Sequence, residues 1–182
     1  MGLRPARCYR KIKRPFTRIS QRKPRKSYAK GVPETKIHTF IVGDKTKTFD
    51  KTFYLVSKRT LQIRHNAFEA ARVATSRFLE KTMGLNNYYM RFLVYPHHIM
   101  RENALATGAG ADRYQSGMGL AYGRPAGTAA QVKTGQRLIE LKILSNFMPD
   151  GKKALKLAAS KFPTPCQVVE VAEPLAKKPI II

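Results

Sequence analysis

Four sets of residues have side chains or spacings of the kind that do chemistry. They are the adjacent pair His97-His98, the glycine series Gly117-Met118-Gly119-Leu120-Ala121-Tyr122-Gly123, the carboxylates Glu102 and Asp112, and the cysteines Cys8 and Cys166. The histidines suggest a metal site or a general base, but neighbours on an extended chain point different ways and no cysteine or carboxylate stands at ligand spacing. A structural role or an RNA contact is the expectation for both. The glycines suggest a nucleotide loop, yet three residues separate the second and third glycine where the dinucleotide fingerprint has two. No Gly-Lys-Ser or Gly-Lys-Thr occurs, and no strand leads directly into a helix at this point, as that chemistry requires. Glu102 and Asp112 lie among arginines and read as ion-pair partners rather than a catalytic pair. Cys8 and Cys166 lack close cysteine or histidine partners and read as free thiols in a reducing compartment. No catalytic constellation, metal site or cofactor site is expected.

Charge carries more information than these motifs. The 182 residues hold 35 Lys and Arg against 11 Asp and Glu, a net charge of +24 that would repel itself in an isolated compact chain. A polyanionic partner follows, and nucleic acid is the common one, because each cation placed on a phosphate releases condensed counterions. An anionic membrane surface would call for a basic amphipathic helix with bulky apolar residues opposite, and none is visible. No apolar run approaches the roughly 18 residues of a spanning helix, and no apolar signal region follows the charged start. The chain is expected to stay inside the cell and in water, with no membrane partner.

Residues 1 to 30 carry half of that net charge: Arg4, Arg7, Arg10, Lys11, Lys13, Arg14, Arg18, Arg22, Lys23, Arg25, Lys26 and Lys30, with no acid before Glu34. Pro5, Pro15 and Pro24 disfavour helix, so an extended arm over 1-35 is expected. Tyr9, Phe16, Ile19 and Tyr28 interleave with the cations, which suits an extension that packs or stacks on RNA better than it suits a solvated tail.

The elements that must position these groups follow from periodicity. Short β-prone runs at Ile37 to Val42, Phe53 to Val56 and Thr60 to Arg64 predict antiparallel strands. Asn66 with Glu69 three residues on resembles a capping box, Gly84 marks a helix end, and Ala67, Ala71, Ala74 and Phe78 form the expected apolar stripe between them, with Arg72, Arg77 and Lys81 lying elsewhere on the helix. Tyr88 to Tyr95 alternates as a strand with Met90, Phe92 and Val94 on one face, and Pro96 ends it. Ile139, Leu141 and Ile143 predict a further strand, Lys152 to Lys161 a short helix and Gln167 to Val171 a last strand. Helices and strands mix without βαβ repeats, so the fold class is α+β with a largely antiparallel sheet packed with helices, a single domain over 36-172 and a short tail over 173-182.

Within that domain, 96-127 reads as one long loop with glycines at 108, 110, 117, 119, 123 and 127. Loops of this length are functional or disordered. Glycine allows close backbone approach to a phosphate, while Arg101, Arg113 and Arg124 offer forked donors for phosphate or a base edge.

The strings MGLRPARCYR at the start, GVP at 31 to 33, EAARVA at 69 to 74, and HHIMREN and AGADRYQSGM in the loop resemble the universal large-subunit ribosomal protein family numbered sixteen, in its archaeal and eukaryotic branch, called ten-e in older archaeal naming. The resemblance runs from Met1 to about Phe162. It implies a hammerhead-type α+β domain that is a structural constituent of the large ribosomal subunit, docked on its ribosomal RNA between the central protuberance and the stalk base. It further implies that the loop points toward the peptidyl transferase centre and the acceptor end of tRNA. Arg101, Gly108, Gly110, Arg113, Gly117, Gly119 and Arg124 would then lie near tRNA, while arm residues 4 to 30 anchor in ribosomal RNA. Large-subunit RNA, tRNA and neighbouring ribosomal proteins are the implied partners, the cytoplasm is the location, and no homo-oligomer is expected. Beyond Pro163 the chain departs from eukaryotic relatives, which continue with a longer extension, and the short form resembles the archaeal one; the closing Ile180-Ile181-Ile182 has no reading.

Two other readings compete. An RNA-modifying enzyme would use the glycine-rich loop as a cofactor site, and a DNA-compacting protein would use the charge without regard to sequence. Uptake of nucleotide or S-adenosylmethionine separates the first, and competition between ribosomal RNA and duplex DNA separates the second.

Overall fold

The computed structural model describes residues 3–12, 23, 25, 29, 31–103, 108–110 and 123–171. Its strands are β1 (Ile41–Gly43), β2 (Lys51–Ser57), β3 (Leu61–Arg64), β4 (Tyr88–Phe92), β5 (His98–Glu102), β6 (Arg124–Val132), β7 (Arg137–Ile143) and β8 (Cys166–Val171), with helices α1 (His65–Met83) and α2 (Met148–Lys161). All pairings are antiparallel. The strands form a five-stranded sheet of order β1-β4-β7-β2-β8 and a three-stranded sheet of order β3-β6-β5. The α+β expectation holds.

The two sheets share two strand-to-strand connections. The chain leaves β2 for β3 and leaves β6 for β7 side by side, and backbone bonds tie the crossings: Ser57 N donates to Gln136 O at 3.0 Å and Gly135 N to Ser57 O at 2.8 Å. Gly135, at φ 80°, makes the β6–β7 turn, which Gln136 N closes on Lys133 O at 3.2 Å. The neighbouring strands β2 and β7 of one sheet thus continue into the neighbouring strands β3 and β6 of the other.

Alternation places the core. In β4, Tyr88, Met90 and Phe92 point in while Tyr89 is half-buried and Arg91 exposed; in β7, Ile139, Leu141 and Ile143 are fully buried. Helix α2 packs on the five-stranded sheet and on α1, and α1 also borders β3 and β6. Phe68 of α1 is fully buried, edge-on to Phe92 at 6.4 Å and Phe162 at 5.3 Å between centroids, and so joins helix, sheet and the end of α2. Each such side chain contributes about 1.5–3 kcal/mol by leaving water.

Helix α1 corrects two expectations. Its buried stripe is Phe68, Ala71, Thr75 and Leu79, whereas Ala67, Ala74 and Phe78 are only partly buried. It begins at His65 after extended Arg64, with no side-chain cap, so Asn66 lies inside the helix rather than capping it. Glu69 is taken by Arg72, which donates from Nε and Nη2 at 2.8 and 2.6 Å; a bidentate charged pair outcompetes one amide for that carboxylate. Gly84 ends the helix at φ 75°, as expected.

The span 96–127 is not irregular throughout. Strands β5 and β6 take both ends of it, pairing His98 with Ala129 and Glu102 with Arg124 across a bulge at Met100/Arg101. Buried Gly127 belongs to β6, where an added Cβ would sit 3.1 Å from both His65 Nε2 and Met100 Cε. It is a packing glycine, not a loop glycine.

Candidate nucleic-acid interface

The arm is seated at its root. Pro5 sets up a short turn over Ala6–Cys8, in which Cys8 N donates to Pro5 O at 3.2 Å, so this stretch departs from the extended path expected of it. The alternation of β3 puts Leu61 and Ile63 in the core and turns Gln62 and Arg64 outward, where they hold the arm. Gln62 N donates to Arg10 O at 2.9 Å, and Arg64 Nη1 donates to Arg4 O at 2.7 Å. Arg4 then reaches the end of β5: its Nε lies 2.8 Å from Glu102 Oε1 and its Nη2 donates to Asn103 O at 3.3 Å. Tyr9 donates to Glu102 Oε2 at 3.5 Å beneath the Arg64 guanidinium, 5.8 Å from its ring centre. Burial and the nearby Glu102 raise its phenol above the ordinary value. Glu102 is therefore an ion-pair partner, as its setting suggested, and Arg4 is the arginine it meets.

Of the other arm cations, Arg7, Arg10, Lys11, Lys23 and Arg25 are exposed. Lys13, Arg14, Arg18, Arg22, Lys26 and Lys30 lie outside the described residues, as do Phe16, Ile19 and Tyr28. Tyr9, grouped with these aromatics as a possible stacking residue, is instead half-buried against its own domain.

The glycine-rich segment leaves the β5–β6 stem at Glu102 and returns at Arg124. Arg101 is half-buried opposite Pro125, and Arg124 is exposed opposite Glu102, so two of the three loop arginines flank the root. Gly108 and Gly110 have φ of 134° and 77° with open space where a Cβ would go, so backbone conformation rather than room calls for glycine. Arg113, Gly117, Gly119 and Asp112 lie outside the described residues.

The histidine pair does not splay apart. His97 precedes β5, its N and Nδ1 both lie 3.1 Å from Tyr95 O, and its ring stands 4.3 Å from that of His98. Burial, and then His97, lower the pKa of His98. No group of three or more His, Cys, Asp or Glu converges as a metal site among the described residues. Cys8 and Cys166 are free, and burial pushes the Cys166 thiol up to about 11.

Further basic residues went unmarked by sequence reasoning. On the outer face of the five-stranded sheet Arg137 lies over Tyr54 at 4.4 Å and Lys142 over Tyr89 at 5.6 Å. Beside the arm, Arg64 and Lys161 share a cleft with Arg10, which the arm reading had already named. Outward alternation in β3 and β7 was the available signal for Arg64 and Lys142, but nothing local brings Lys161 near them.

Comparison with known proteins finds close relatives over most of the chain. The chain is 40% identical over 169 residues to the large ribosomal subunit protein uL16 of Archaeoglobus fulgidus, covering 93% of each chain. It is 44% identical over 170 residues to that of Staphylothermus marinus (93% of this chain, 94% of the relative) and 43% identical over 174 residues to that of Hyperthermus butylicus (92% and 93%). The model of the ribosomal protein L16p/L10e family matches residues 16–169, and the chain belongs to that family.

Proposed function

We propose that this protein is a structural constituent of the large ribosomal subunit that binds large-subunit RNA through its basic arm and holds the glycine-rich loop toward the peptidyl transferase centre and the acceptor end of tRNA. The α+β domain is read as the hammerhead type. The observation that carries the proposal is the fastening of the arm: a segment bearing exposed Arg7, Arg10 and Lys11 is fixed at its root by Gln62, Arg64 and Glu102 instead of hanging free. Cations presented from a fixed base lose less entropy on meeting phosphates than cations on a loose tail. Arg101 and Arg124 flank the loop root on the same stem, so the loop extends from the end of the sheet to which the arm is pinned. Membership of a family of structural ribosomal proteins sets aside the RNA-modifying enzyme.

Reconstitution of large subunits with and without the chain tests the proposal. The chain should pellet with subunits at high salt, and subunits lacking it should lose tRNA binding and peptide transfer. Normal transfer in subunits stripped of it would overturn the functional half.

A further inference from the structure

We infer that the cleft between the arm, β3, the start of α1 and the end of α2 receives a single unstacked nucleotide of RNA. This rests on the RNA-binding function proposed above and adds a specific site to it. The cleft has a volume of ≈ 410 Å³, within the roughly 300–1,000 Å³ of small-ligand sites. Three cations from three elements line it, Arg10, Arg64 and Lys161, and no carboxylate does so among the described residues. Arg10 and Lys161 have no side-chain partner among the described residues, whereas Arg64 has already spent one N–H on Arg4 O. An anion would find two uncommitted positive groups and part of a third.

The rest of the lining suits a base. Ala67, Ala70, Phe162 and Pro163 give a low apolar wall. Asn66 also lines the cleft, and its Oδ1 is buried without a hydrogen-bond partner, which is costly for an amide oxygen. A turn about the Asn66 Cβ–Cγ bond would let an exocyclic amino group supply the missing donor. The start of α1 has no side-chain cap, so its positive end remains available to a phosphate, while Lys161 offsets the opposite dipole at the end of α2. A base edge on Asn66 matches the hydrogen bonding of base edges by which splayed-out, unpaired bases are recognised, and the neighbouring cations suit its phosphate.

The test titrates the full chain with adenosine, guanosine, cytidine and uridine 5′-monophosphates, ribose 5-phosphate and inorganic phosphate, following backbone amides by NMR. Saturable shifts centred on Gln62, Asn66, Ala67 and Ala70 are expected, with at least one nucleotide binding about five-fold or more tighter than ribose 5-phosphate. Lys161→Ala and Arg10→Ala should each weaken that nucleotide about three- to ten-fold, and Asn66→Ala should close the gap to ribose 5-phosphate. Lys161→Gln, which keeps the stem of the exposed side chain, should reproduce Lys161→Ala if charge is what matters. Large-subunit RNA should displace the nucleotide. Equal binding of ribose 5-phosphate, shifts scattered over the basic surface, or a nucleotide that stays bound under saturating RNA would each overturn the inference. A chain that fails here yet pellets with subunits loses only this site; one that fails to pellet loses the proposed function.

Discussion

The guanidinium of Arg4, near the start of the chain, meets the carboxylate of Glu102 at the end of β5, with Nε 2.8 Å from Oε1, at the point where the glycine-rich segment begins. The same carboxylate accepts from Tyr9, so the first described residues and the root of the loop share one anion. Both members of the ion pair are about one-third exposed, at 34% and 29%, so solvent screens it and the direct coupling should be only about 0.2–1 kcal/mol. Its effect on order should exceed its effect on stability. Glu102→Gln is expected to leave the unfolding midpoint nearly unchanged while speeding hydrogen exchange at Cys8 and Tyr9, and a double-mutant cycle with Arg4→Ala should return that small coupling. Exchange at those amides as slow as in the parent chain would show that the arm is seated without the pair.

His65 should make stability depend on pH. Its Nδ1 accepts the Lys36 N–H at 2.8 Å, leaving the ring proton on Nε2, and burial, then Lys36 and Arg64, lower its pKa below 6.5. The folded ring therefore stays neutral at pH values where the unfolded ring takes up a proton. Since the unfolded state then binds more protons, stability is complete above about pH 6.5 and falls as pH drops from there toward the lower folded value. Denaturant midpoints measured from pH 7.5 to 5.5 should decline, and His65→Gln should flatten the decline. His98, also lowered by burial, adds a slope of the same sign that remains in the variant. An unchanged slope in His65→Gln would remove His65 from the account.

These relationships differ in how far the chain betrayed them in advance. The alternation of Tyr88 to Tyr95 is local, and burial follows it residue by residue even though β4 pairing ends at Phe92. The face of α1 was misjudged because polar residues lie on the buried side: Thr75 sends its hydroxyl to Ala71 O at 2.7 Å, which satisfies it internally and lets it enter the core. Strand β6 passed for loop because Arg124-Pro125-Ala126-Gly127 has little strand propensity, and that stretch is strand because β5 pairs with it, while β3 pairs with the later part of β6. The docking of Arg4 on Glu102 and the approach of Lys161 to Arg10 depend on tertiary neighbours that no local pattern encodes.

Gly43 and Gly135 both need positive φ, at 96° and 80°, but only Gly43 is also crowded. A Cβ at Gly43 would collide with the Tyr88 carbonyl, next to the bond from Asp44 N to that oxygen at 3.0 Å, whereas a Cβ at Gly135 meets open space. Gly43→Ala should thus add overpacking to backbone strain and cost roughly 2–4 kcal/mol, against about 1 kcal/mol for Gly135→Ala. Urea unfolding of the two variants checks the difference, and equal losses would mean that the β1–β4 edge shifts to make room.

The arm gives a prediction in salt. Its root is held by a backbone bond from Gln62 and a side-chain bond from Arg64, and Arg4 is engaged by Glu102, so Arg4 should contribute less to phosphate binding than exposed Arg7, Arg10 and Lys11. If about six arm cations touch phosphates, the logarithm of affinity for large-subunit RNA should fall with the logarithm of salt at a slope near −4, at about 0.7 per contact. Replacing Arg7, Arg10 and Lys11 together by alanine should flatten that slope by about 2, while Arg4→Ala should change it by well under 1. Filter binding across a range of salt concentrations measures both. A slope near zero for the parent chain would end the account of the arm as an electrostatic anchor, and an Arg4→Ala effect as large as that of an exposed arginine would mean that the latch to Glu102 opens when RNA binds.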